Sequence, residues 1–124
     1  MRRLALLFAA VALFAADLDF AAWWPQFQNA VAKHDAKFAV QGASFPMHWE
    51  NGKIRDIKTE ADLAKRFEFY FTPEIRKAIV NEKPERLPSG TYIITWKARG
   101  NEYSLYFKPA GGSFALDGLS EGPL

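Results

Sequence analysis

Three alternating apolar stretches in the last third of the chain, separated by two glycine turns, restrict its fold more than any other feature. With Gly100-Asn101 as the first turn, Trp96 faces Leu105, Ile94 faces Phe107 and Ala98 faces Tyr103. With Gly111-Gly112 as the second, Phe107 faces Leu116 and Pro109 faces Phe114. Successive side chains of a strand point to opposite faces, so each register assigns every residue to one side. Derived separately, the two registers put Tyr92, Ile94, Trp96, Tyr103, Leu105, Phe107, Phe114 and Leu116 on the same side. Thr91, Thr95, Lys97, Ser104, Tyr106, Lys108 and Asp117 take the other. The segment therefore reads as an antiparallel meander with one core face and one solvated face.

An earlier hairpin is signalled by Asn51-Gly52, a pair that tolerates the positive φ angles of a type I′ turn. A two-residue loop there pairs Glu50 with Lys53, Trp49 with Ile54, His48 with Arg55 and Met47 with Asp56. Asp56 then sits on the apolar face beside Trp49 and Ile54. Pro46 restricts the first of these strands to an edge or a short run. Helical spacing marks the rest. Phe20, Trp23, Trp24, Phe27, Ala30, Val31, His34 and Phe38 form one stripe. Proline is comfortable only in a first turn, so Pro25 predicts a regular helix starting near Trp24. A break follows at His34-Asp35, and a short piece, residues 36–41, stops at Gly42. Thr59 and Asp62 resemble a capping box ahead of Leu63, Phe67, Tyr70 and Phe71. Thr72-Pro73-Glu74 starts another helix with Ile75, Ala78 and Ile79 as its buried face. Residues 81–90 are expected to be loop and 121–124 a tail.

The N-terminus follows a different logic. Arg2 and Arg3 precede an unbroken apolar run from Leu4 to Phe14, then Ala15-Ala16 and the first acid, Asp17. This order of charge, grease and small residues is that of a secretory signal peptide, and the run is short for a bilayer about 30 Å thick. Cleavage near Ala15 or Ala16 is expected, although Leu13 and Phe14 are large for a cleavage site. The alternative is an uncleaved anchor. Residues 17–124 then make one domain, long enough for a core without staples. There are no cysteines, which excludes disulfides, thiol catalysis and thiolate metal sites. Arg2 and Arg3 account for the excess of bases over acids, so the mature domain carries formal charge zero. That balance argues against nucleic acid and anionic membrane as electrostatic partners.

The element order resembles the NTF2-like superfamily. The residues that carry the resemblance are Trp24-Pro25-Gln26-Phe27 with Ala30-Val31-Ala32-Lys33, Phe45-Pro46, Phe67 through Phe71 with Thr72-Pro73-Glu74, and Tyr103 to Phe107 before Gly111-Gly112. It is the small exported branch that the chain looks like. The resemblance implies an α+β fold in which N-terminal helices pack on a curved antiparallel sheet, a cone-shaped NTF2-like/cystatin-like roll. The superfamily holds isomerases, dehydratases, cyclases and pure binding modules, so fold alone does not choose among them. Relatives of this shape often pair through the sheet, which makes a homodimer an open alternative.

Few residues suggest chemistry. The tips of Trp49, Tyr92, Trp96 and Tyr103 would orient a ligand if these rings line a cavity, and need partners if they fill a core. His34, on the helix stripe, is either a general base at a pocket mouth or a helix-end histidine. His48 is either a proton shuttle or a solvated hairpin residue. Asp56, placed beside apolar side chains, would be desolvated and able to act as acid or base. No zinc signature, phosphate loop or nucleophile elbow is present, so no metal or cofactor is expected. The leading expectation is an exported binding or accessory domain of the cell envelope, taking a small apolar ligand or an envelope protein. The alternative is a small acid–base enzyme of isomerase or dehydratase type, with Asp56 or His34 as its base.

Overall fold

The computed structural model describes residues 19–124; the expected signal segment, residues 1–16, lies outside them. The fold is α+β, with helices followed by a six-stranded mixed sheet that does not close. Helix α1 covers residues 19–32. It is followed by α2 (Ala36–Ala39), β1 (Met47–Asn51), β2 (Ile54–Ile57), α3 (Glu60–Lys65), α4 (Phe67–Tyr70) and α5 (Pro73–Asn81). The chain then continues through β3 (Glu85–Arg86), β4 (Tyr92–Ala98), β5 (Asn101–Ala110) and β6 (Ser113–Pro123). The strand order is β2-β1-β6-β5-β4-β3.

The meander matches its expected faces. Tyr92, Ile94, Tyr103, Leu105, Phe107, Phe114 and Leu116 are buried and Trp96 is half-buried. The Gly111-Gly112 turn gives the expected pairs Phe107–Leu116 and Pro109–Phe114. The other turn is Arg99-Gly100, so Trp96 pairs with Tyr103 and Ile94 with Leu105. Arg99 and Gly100 both take positive φ, 52° and 77°, as a type I′ turn requires. The turn moved by one residue and the pairing by two, which leaves the faces unchanged.

The first hairpin is different. Its turn is Gly52-Lys53, with Asn51 paired to Ile54, an irregularity between His48 and Asn51, and His48 paired to Asp56. Only Gly52 takes positive φ there, the type II′ pattern. A shift of one residue turns a side chain over. Asp56 therefore lies exposed on the face opposite the core, and Ile57 takes its expected place beside Met47. β1 is not an edge: it runs parallel to β6, His48 beside Gly118 and Trp49 beside Leu119. A Cβ at Gly118 would stand 2.7 Å from the His48 carbonyl oxygen, so only glycine admits this approach.

Beyond the turns, β6 carries the largest surprise. A bulge at Asp117 changes the register between Tyr106–Gly118 and Phe107–Leu116. It brings Leu119 and Glu121, rather than Gly118 and Ser120, to the core side. Residues 121–123 are strand, not tail, and Glu85–Arg86 is a short strand inside the expected loop.

Helix α1 packs its stripe on this face. Phe20 stacks on Tyr92 with ring centroids 3.7 Å apart, and Phe27 meets Phe107 edge-on at 5.3 Å. The helix already includes Phe20 and Trp23, so it runs through Pro25 rather than starting there. An interior proline costs about 3 kcal/mol, and burying two large aromatic side chains returns about 1.5–3 kcal/mol each. Pro25 and Ala21, whose carbonyl loses its partner, lie on the exposed side, where water can satisfy it. The helix stops at His34, which has φ 58°. The His34 N–H donates to Val31 and the Asp35 N–H to Ala30, the two bonds of a Schellman ending. Thr59 and Thr72 cap α3 and α5 as expected, accepting from the Asp62 and Ile75 N–H groups. The Gln28 side chain donates to the Ile79 carbonyl at 2.8 Å, joining α1 to α5. At the sheet edge, Arg55 donates to the carbonyls of Gly52 in the turn and Ile54 in its own strand, which blunts β2 as a pairing surface.

Candidate functional site

The two ends of the sheet are built from different residues. At one end lie the Arg99-Gly100 and Gly52-Lys53 turns, the close of β6 and the start of α5. The Arg99 guanidinium grips Glu74 with two hydrogen bonds, 2.7 and 3.0 Å long, and donates to the Tyr103 hydroxyl at 2.8 Å. Tyr103 in turn donates to Glu121, which also accepts from Asn101 at 3.3 Å and from the Gly52 N–H at 3.1 Å. The Glu121 N–H reaches Glu50 at 3.5 Å, and Glu50 accepts from His48 Nε2 at 2.9 Å. One polar chain thus ties α5, β5, β6 and the first hairpin together. Burial, then the bond to Glu121, pushes the Tyr103 phenol up. The His48 hydrogen bond is the largest cause holding the Glu50 carboxyl below its ordinary value.

Trp96 stacks on Tyr103 with centroids 5.6 Å apart, and Trp49 is fully buried against Phe71 at 5.3 Å. Of the four expected cavity-lining aromatics, these two and Tyr103 are packed into this closed end or the core beside it. The phenol of Tyr103 finds polar partners in Arg99 and Glu121, whereas the indole N–H groups of Trp49 and Trp96 are buried with no protein partner. Tyr92 lies elsewhere, stacked on Phe20.

At the opposite end, two hollows flank the Gly111-Gly112 turn. The larger, ≈ 560 Å³, lies between Asp19, Ala22, Trp23 and Gln26 of α1, Phe38 of α2 with Gln41 and Gly42 just after it, and the turn itself. The smaller, ≈ 320 Å³, is bounded by Tyr92, Arg86 and Gly90 across the same turn. Asp19 and residues 110–114 border both. The space has a simple cause. Gly42, Gly111, Gly112, Ala22 and Ala110 all line it, and residues this small leave the wedge between helix and sheet open; a Cβ at Gly42 would stand 3.4 Å from that of Ala110, and one at Gly111 or Gly112 would meet nothing within 4 Å. Among the described residues lining the larger hollow, Asp19 is the one ionisable side chain; Gln26, Gln41 and Ser113 supply neutral polar groups.

The other expected residues do not converge here. His34 is exposed at the end of α1, with Nδ1 3.3 Å from Glu68. His48 and Asp56 are cross-strand neighbours on the outer sheet face, not members of the core face. A separate cluster joins Arg66 to Asp62 through two bonds of 2.9 and 3.0 Å, with Tyr70 donating to the same carboxylate. Arg66, then Tyr70, holds the Asp62 carboxyl down at about 2. Among the described residues no three His, Asp or Glu side chains are grouped to hold a metal ion, and no helix is long and apolar enough to cross a membrane. Arg99, Glu74 and Glu121 escape sequence reasoning, because they meet only through the turn at 99–100 and the bulge at 117. No family model, curated protein or solved structure matches the chain.

Proposed function

We propose that the chain is an exported small-ligand-binding or accessory module of the cell envelope, an NTF2-like/cystatin-like roll whose ligand enters the paired hollows around the Gly111-Gly112 turn. The observation that carries this reading is the contrast in use of polar groups. At the closed end, Arg99, Glu74, Tyr103, Asn101 and Glu121 are engaged with one another, so their chemistry is spent on holding the fold. At the open end, rings, the Gln26 and Gln41 amides, the Ser113 hydroxyl and the Asp19 carboxylate border the larger hollow, a mix of apolar and a few polar groups usual for a small-molecule site. The candidate bases His34 and Asp56 lie on exposed surfaces away from these walls, which favours binding over proton transfer.

The test is mass spectrometry of small molecules retained by the protein purified from its own cells. Ala22→Trp, an exposed helix position on the wall of the larger hollow, should fill it and abolish retention. Unchanged retention in that variant would contradict the assignment. Export is checked on the same preparation: the intact mass should correspond to a chain beginning near Asp17, and a full-length chain held in membranes would replace the free module by a tethered one.

A further inference from the structure

We infer that the groove between α1 and α5 is a docking surface for an acidic amphipathic segment of a partner protein. The groove holds ≈ 420 Å³, begins about 14 Å along α1 beyond Asp19 and shares no lining residue with either hollow. Its floor is apolar and closed: Val31 and Ile79 are buried, and the Gln28 side chain donates to the Ile79 carbonyl across it. Val80 stands beside that floor at 63% exposure, and Ala32 is exposed on the facing helix. An exposed valine alone means little, but here it continues a buried apolar seam into solvent, as an anchor site does. Both walls are held before a partner arrives. Gln28 ties the far part of α5 to α1, and Arg99 grips Glu74 at the start of α5. A pre-formed groove spares a partner the cost of ordering it. Charge complementarity decides the kind of partner. Arg76 and Lys77 are the ionisable side chains among the described residues that line the groove, and both are cations. Neither joins an ion pair among the described residues. Arg76 gives one N–H to the Phe71 carbonyl at 2.8 Å, which fixes its head and leaves its other donors for a carboxylate. Glu74, the nearest acid before them on α5, is already held by Arg99, and Glu82 past the groove's end is followed by Lys83. A segment bringing lysines would meet two like charges, and one without acids would cover both cations unpaired.

The probe is a helical peptide with leucines at i and i+4 flanked by glutamates, paired with a twin that has glutamine for every glutamate. Each is titrated into isotopically labelled protein at low salt and followed by backbone amide shifts. The acidic peptide should give saturable shifts confined to residues 28–32 and 76–81, and the twin should bind about tenfold more weakly. That gap should shrink as salt screens the charges. Lys77→Gln should reduce the gap, and Val80→Asp should abolish binding of both peptides; both positions are exposed, so the fold is kept. Equal affinity of the two peptides overturns the acidic class. Shifts elsewhere, or none, overturn the groove as a docking surface. Concentration-dependent broadening of the same amides without peptide would give the groove to a second copy of the chain, and phosphatidylglycerol vesicles that shift them would give it to a membrane; either result overturns the proposal. The small-molecule site at the open end stands or falls separately, by the retention measurement with Ala22→Trp.

Discussion

The closed and open ends of the sheet differ in side-chain size more than in polarity. At the closed end a long arginine, two glutamates and a tyrosine reach across four elements and satisfy one another. At the open end Gly42 lies close to Ala110, and the small residues there and in the Gly111-Gly112 turn leave a wedge between helix and sheet. Buried polar networks of the first kind fix a structure because each member left alone would carry a desolvation cost. Small residues at a wedge leave volume that a ligand can take. The comparison teaches that the polar residues which look most like catalytic machinery here are bracing, and that the recognition surface is marked by the smallest residues.

Substitutions at the two ends should therefore differ in kind. The largest effect is expected for Tyr103→Ala, which removes a fully buried ring together with the centre of the network, at about 3–5 kcal/mol by denaturant unfolding. A loss below about 1 kcal/mol would mean the closed end does not brace the fold. Glu121→Ala should cost about 1–3 kcal/mol, since it leaves the Tyr103 O–H without its acceptor, while Arg99 still donates to that oxygen and the exposed Gly52 N–H turns to water. Smaller again is the contribution of Asp62. Its folded carboxyl titrates at about 2 against an ordinary 3.8, so between those values the unfolded state binds more protons and stability rises with pH. The contribution is complete above the unfolded value and disappears as pH falls toward about 2, and Asp62→Asn should flatten that part of a pH series of unfolding curves. An unchanged slope would show that the exposed cluster adds nothing. At the open end Asp19→Asn and Ala22→Trp should each change stability by within about 0.5 kcal/mol. Loss comparable to that of Glu121→Ala would erase the distinction between the ends.

Much of this was legible in the sequence, for reasons that can be located. The meander's faces survive an error of one residue in its turn, because the pairing then moves by two and parity is kept. Asp56 did not survive the same error, since the irregularity between His48 and Asn51 moved its pairing by one. Glu121 was hidden because the bulge at Asp117 reverses the alternation that a plain strand would follow. The parallel contact of β1 with β6 joins segments about seventy residues apart and depends on the missing side chain of Gly118, which local pattern does not announce. Pro25 misled by the reverse route: tertiary burial of Phe20 and Trp23 outweighed a strong local rule. The hollows follow from small residues in four separated segments, and no single segment signals them.

The central claim is that ligand recognition belongs to the open end alone. The most direct measurement adds the small-molecule fraction of the protein's own cells to isotopically labelled protein and maps the backbone amides that shift. The account predicts changes confined to residues 19–26, 38–42 and 110–114, lost in Ala22→Trp. Shifts centred on Trp96, Tyr103 and Glu121, with the open end unmoved, would contradict it and transfer function to the closed network.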